Sequence, residues 1–211
     1  MPKQNRVDPF GELIADPARG TLMGNRGVLH DSRQRIKHHH RGKRWIICRL
    51  SFKKRQRQVM TPGRYTELFF LDEATALAAG HRPCAECMRA RFNHFRALWA
   101  AANPDQVAGP PPSAPALDAI LHAERLTASG QKRVYPENID RLPAGAMITL
   151  KPNATPYLVA GHHLLAWSPH GYVNLIERPR QTTVHVLTPP SIVRTLRQGY
   201  EADLHYSASA V

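Results

Sequence analysis

Three cysteines constrain this chain more than any other feature: Cys84 and Cys87, two residues apart ahead of a helix-like stretch, and Cys48 well upstream. An odd number cannot all pair, so the set reads as metal or redox chemistry before it reads as a disulfide framework. A knuckle or a helix N-terminus lets both sulfurs of a Cys-x-x-Cys pair point at one ion, and the helix dipole there favours thiolate. Three thiolates supply most of a tetrahedral zinc site. The pair alone fits a redox couple equally well, so its flanks must decide.

Charge is the second constraint. Lys and Arg number 29 against 16 acidic residues, a net of +13. Eleven of the basic residues lie between Arg33 and Arg57, a stretch without Asp or Glu. Such a field suits a polyphosphate partner, since each neutralised phosphate releases condensed counterions. A solvated basic face, an anionic membrane surface or an acidic protein partner are the other readings of a basic run. A hydrophobic content of 42% excludes wholesale disorder. No apolar run approaches the roughly 18 residues of a membrane span, and the start, MPKQNRVDPFGEL, has no signal-peptide core, so a cytoplasmic protein with no membrane association is expected.

Residues 1–30 carry turn signals at Asp8-Pro9-Phe10-Gly11, Asp16-Pro17, Arg19-Gly20 and Met23 to Gly27, which predicts an ordered but irregular arm. Gly27 to His30 can form a short strand. Trp45 to Phe52 and Leu68 to Leu71 read as strands. Asp72 has the position of a helix N-cap, and Gly80 stops the helix Ala74 to Ala79. A longer helix from about Cys84 to Ala102 buries Met88, Phe92, Phe95 and Trp99 on one face. The proline-rich residues 103–115 predict a linker. A short helix over 117–126 and five short strands between Ala146 and Leu187 follow, the latter suggesting a small antiparallel barrel or curled sheet. A final helix spans Ser191 to Gln198.

Phe69 to Cys87, reading FFLDEATALAAGHRPCAEC, resembles the zinc-binding half of Ada DNA-repair proteins, in which a strand, a short alanine-rich helix and Gly-aromatic-Arg-Pro-Cys-x-x-Cys occur in that order. Cys48-Arg49-Leu50-Ser51-Phe52 is similar to the upstream Cys-Arg-Pro-Ser-Cys segment of the same family. The resemblance covers roughly residues 45–90. It implies a small zinc module that binds DNA, with Cys84 and Cys87 as downstream ligands and Cys48 as a ligand able to accept a methyl group. The second upstream cysteine of that pattern is Phe52 here, so one ligand is missing. His30 is the first candidate to replace it, with His40 and His94 behind it. The apolar flanks Trp45, Ile46, Ile47, Leu50 and Phe52 predict a buried strand and a structural rather than catalytic ion.

Two other readings stay open. Pro83-Cys84-Ala85-Glu86-Cys87 and His122-Ala123-Glu124 match the two halves of zinc-dependent base deaminases, in reversed order. Alternatively, His122, Glu124, Arg125, Lys132, Arg133 and Tyr135 form a polar cluster suited to phosphate binding or acid–base work, which would put an active site in the C-terminal half. Catalytic candidates are therefore Cys48, His122 and Glu124.

The expectation is an α+β protein. Residues 1–102 form an arm and an N-terminal zinc module with a short sheet and two helices, residues 103–115 a linker, and residues 116–211 a β-rich C-terminal domain. The expected activity is binding DNA, or RNA, in repair or another processing pathway, with Arg41, Lys43, Arg44, Lys53, Lys54, Arg55 and Arg57 on phosphates.

Overall fold

The computed structural model describes residues 1–53, 58–107 and 109–209. The fold is α+β, with two six-stranded sheets and, among the described residues, four α-helices. The first sheet takes β1 (Gln4–Val7), β2 (Leu13–Ala15), β3 (Leu22–Asn25), β4 (Ile46–Cys48), β5 (Leu68–Phe70) and β6 (Arg82–Pro83), in the order β2-β1-β5-β3-β4-β6. The irregular arm expected over residues 1–30 is thus three strands. Its first turn signals fall between them, and Gly11, with φ of +88°, closes the hairpin from β1 to β2, but Met23, Gly24 and Asn25, read as part of a turn, lie within β3. Gly27 to His30 is not a strand; His30 makes one isolated bridge to Ile36.

The second sheet holds β7 (Tyr135–Asn138), β8 (Met147–Thr149), β9 (Pro156–Ala160), β10 (His163–Ser168), β11 (Gly171–Glu177) and β12 (Thr183–Val186). Its order, β11-β10-β9-β8-β12-β7, leaves β11 and β7 as edges, so it is an open sheet and not a closed barrel. The extra strand β7 comes from Tyr135-Pro-Glu-Asn, a segment too polar to read as a strand, which pairs antiparallel with β12.

Every residue from Phe70 to Cys84 is buried, and this segment ties the halves together. It contains α1 (Glu73–Ala78), where Asp72 caps the start by accepting from the Thr75 amide at 2.9 Å. The other oxygen of Asp72 accepts from Tyr172 Oη at 2.8 Å on β11 and from the His205 amide at 3.1 Å. Glu73 accepts from Tyr200 Oη at 2.6 Å, from the Asp203 amide at 2.9 Å and from the Arg91 guanidinium. A buried carboxylate is costly unless its lone pairs are filled, and both of these draw donors from the C-terminal half.

Helix α2 (Arg89–Ala102) buries Phe92, Phe95 and Trp99, spaced for one helical face. It packs on α4 (Pro190–Arg197). Residues 103–115 lead from α2 into α3 (Ala114–Arg125), with Asn103 wholly buried and bonded to the Ser191 carbonyl at 3.3 Å, and Ser113 as N-cap. A single hydrophobic cluster includes Val7, Phe70 and Trp99 together with Ile148, Val186 and Leu196. No helix is long and apolar enough to cross a membrane among the described residues.

Candidate metal centre and its cleft

Strand β6 runs parallel to β4, with Ile47 opposite Pro83, and so sets Cys84 beside Cys48. Proline suits that place because β6 is an edge of its sheet. The Cys84 amide donates to Ile47 O at 2.9 Å, and the chain then turns, with Met88 N bonded to Cys84 O at 3.1 Å. The helix expected to begin near Cys84 begins only at Arg89, because residues 84–88 are used in this turn. The turn brings Cys87 back toward Cys84, and the Glu86 amide lies 3.4 Å from Cys84 Sγ.

The Sγ atoms of Cys48, Cys84 and Cys87 all lie within 4.8 Å of one another. A tetrahedral ion with metal–sulfur bonds of ~2.3 Å needs sulfurs about 3.8 Å apart, which falls within that limit. The three thiols can therefore hold a metal ion. Their proton affinities already diverge. The Cys48 thiol, hydrogen-bonding to Cys84, pulls Cys84 down to about 5, and the amides of Cys87 and Glu86 add to this. Cys48 is pushed up by the same bond and then by burial; Cys87 is pushed up mainly by burial. Cys84 is therefore the sulfur most disposed to give up its proton, and a bound cation would strip the remaining protons.

Among the described residues, no His, Asp or Glu joins the cysteines in such a cluster. His30 is buried elsewhere, with Nδ1 2.6 Å from Thr66 Oγ1 and Nε2 3.2 Å from the Thr61 carbonyl. His40 packs between Trp45 and His122 in tilted and edge-on contacts, with ring centroids 5.5 and 5.2 Å away. His94 is exposed and lies 5.8 Å from the Tyr200 ring. His122 and Glu124 project from α3 in different directions, as residues two apart must. His122 Nδ1 is 3.0 Å from Arg125 Nη2, whereas Glu124 caps α4 by accepting from Ser191 N at 3.1 Å. The structure does not bring these two to the thiols. Lys132 and Arg133 bond to the carbonyls of Ala78 and Leu126, and burial pushes the half-buried Tyr135 phenol up.

A cleft of about 900 Å³ opens over the cysteines. Met23, Ile46 and Phe69 of the first sheet line it, as do Arg44, Arg49, Phe52 and Tyr65. At one end stands a buried ion pair: Arg82 Nε donates to Asp118 Oδ1 at 3.0 Å and Nη2 to Oδ2 at 2.8 Å. Arg82 is in the motif around Cys84, but nothing in the sequence marks Asp118 as its partner. Arg41, Lys43, Arg44, Arg49 and Lys53 are all exposed. Lys54, Arg55 and Arg57 lie outside the described residues. Arg49 and Tyr65 join the cleft without having been singled out by spacing.

Comparison with protein-family models, curated proteins and solved structures finds no match to this chain.

Proposed function

We propose that this is a zinc-containing nucleic-acid-binding protein acting in DNA repair or another DNA-processing step. The observation that supports it most is the meeting, in one cleft, of three thiols within 4.8 Å and a rim carrying exposed Arg44 and Arg49. In this reading Cys48, Cys84 and Cys87 hold zinc, and the fourth ligand is a water or a group from the bound partner on the cleft side. The ion clamps β4 to the turn after β6, which keeps Arg44 and Arg49, on either side of β4, in a fixed relation. Zinc is the expected metal because thiolate-rich sites select soft or borderline ions.

Exposed Arg41, Lys43, Arg44 and Lys53 neutralise phosphates, while Phe52, Tyr65 and Phe69 give the cleft an aromatic lining of the kind that unpaired bases pack against. Methyl acceptance by Cys48 has less support, because the residue is only 7% exposed. The test is fluorescence anisotropy of a labelled oligonucleotide across a salt series. Replacing Arg41, Lys43, Arg44 and Lys53 by Gln should flatten the slope of log affinity against log salt by about 3–4. An unchanged slope would show that this face does not carry the binding.

A further inference from the structure

A second cavity, of about 300 Å³, lies between the turn after β1, the residues before β4 and the end of α3, and shares no lining residue with the cysteine cleft. Its walls hold Arg26, His39, His40, Trp45, Arg125 and Lys132. Arg26 and Arg125 are 1% and 0% exposed, and each guanidinium carbon stands 4.0 Å from a ring centroid of Trp45. Cation–π contact and backbone carbonyls satisfy part of this charge. Arg26 donates to Gly11 O at 2.8 Å and to His81 Nε2 at 3.1 Å, and Arg125 Nη1 donates to Gly80 O at 2.9 Å.

What the cluster lacks, among the described residues, is an anion in contact with it. No carboxylate there forms an ion pair with Arg26, Arg125 or Lys132; Asp8 and Glu12 act on Arg26, Asp8 on Lys132 and Asp118 on Arg125 only from a distance. Glu12 lines the cavity, but its side chain is 59% exposed and lies 3.8 Å from His39. Arg26 Nη2, Arg125 Nε and Trp45 Nε1 are buried and have no hydrogen-bond partner among the described residues. Gly11, itself in the cavity wall, lies beside the first of these donors: a Cβ built on it would stand 3.6 Å from Arg26 Nη2. Buried cations that go unpaired, with N–H groups left over, are among the costliest arrangements in a fold.

We propose that this cavity binds a phosphate-type oxyanion, as inorganic phosphate or as a terminal phosphomonoester, on the free donors of Arg26, Arg125 and Trp45 with Lys132 alongside. The volume accommodates such a group with several waters, each needing ~30 Å³. Planar guanidiniums suit phosphate because they offer paired donors in a fixed fork. Burial holds Arg26 and Arg125 down at about 9 and Lys132 at about 7, and a bound anion would reverse each shift.

The experiment is calorimetric titration and thermal unfolding of the full chain with sodium phosphate, against sodium chloride at matched ionic strength. Phosphate should bind and raise Tm where chloride does not; no phosphate-specific heat or shift would overturn the proposal. Arg26→Met should weaken phosphate by about tenfold or more, the value of a lost charge-assisted contact. Because that variant removes a buried side chain, the exposed wall residue Gln131 provides the second. Gln131→Glu places a carboxylate at the cavity, so it should raise Tm without phosphate and abolish the phosphate response. A response that persists undiminished in Gln131→Glu would locate the anion elsewhere and overturn the assignment. Oligonucleotides with 5′-phosphate and 5′-hydroxyl ends separate the sources. A preference for the phosphorylated end, erased by free phosphate, assigns the site to a nucleic-acid terminus; equal binding with phosphate heat retained assigns it to a free phosphate.

Discussion

Gly80 lies against the side chain of Arg125: a Cβ built on it would stand 2.6 Å from Arg125 Cδ and 2.8 Å from Arg125 Cβ. The helix stop read from sequence is therefore also the slot through which a buried arginine passes. The next residues continue the pattern. His81 accepts from Arg26, Arg82 grips Asp118, Pro83 forms the sheet edge, and Cys84 enters the thiol cluster. One short motif thus positions both the metal centre and the cationic cavity.

Gly80→Ala should destabilise the protein for two reasons. Its φ of +85° is left-handed, which costs an alanine about 1–2 kcal/mol, and the methyl overpacks against Arg125 for roughly 1–3 kcal/mol more. Gly161→Ala is the control, with φ of +61° and nothing within 4 Å, and should cost only about 1 kcal/mol. Urea unfolding of both variants checks this. Equal losses would mean that the Arg125 contact gives way freely.

The Arg82–Asp118 pair has side chains only 3% and 6% exposed. Removing one partner leaves a bare buried charge, so Asp118→Ala should cost about 3–5 kcal/mol. Burial already pushes the Asp118 carboxyl up despite the pull of Arg82, a sign that desolvation weighs heavily here. The double variant Arg82→Met, Asp118→Leu should recover much of that loss in chemical denaturation. A double variant as unstable as the single would show that the pair's worth lies in its geometry rather than in charge balance.

Lys132 carries the pH prediction. Burial is the largest cause holding its amine at about 7, against 10.5 for a free lysine, with Arg26 and Arg125 adding to it. A base whose folded value lies below its unfolded value binds fewer protons when folded. Stability should therefore rise as pH climbs from about 7 toward 10.5, and level off below about 7, where the folded and unfolded states both hold the proton. Lys132→Met should flatten that part of the profile. Urea midpoints at about pH 7 and about pH 9, in phosphate-free buffer, measure the difference; parallel slopes in wild type and variant would remove Lys132 from the account.

Features with local causes were legible in the sequence. Asp72 as N-cap, Gly80 as helix stop, the Phe92–Phe95–Trp99 face and the core of each C-terminal strand from β8 to β12 follow from capping chemistry and side-chain periodicity. The three thiols were legible too, since the motif around Cys84 and the strand at Cys48 are themselves local. The rest depends on partners far apart in the chain. The first three strands are too short, at three or four residues, to show alternation, so only the turns between them were visible. Strand β7 is stabilised by its pairing with β12 rather than by its own composition. His30 looked available as a ligand because nothing in the sequence announces Thr66, which holds its ring. The Arg26–Trp45–Arg125 stack joins residues from three separate segments, and a basic residue gives no hint from sequence that it is buried.

The most direct test of the metal centre is elemental analysis of the full chain, purified without chelators, beside Cys84→Ser and His30→Ala. The account predicts zinc at about one ion per chain in wild type, its loss with reduced folded fraction in Cys84→Ser, and its retention in His30→Ala, whose ring is engaged by Thr66 and Thr61. A wild type that is metal-free and fully folded, with Cys84→Ser equally stable, would contradict it and make the cysteines a redox set.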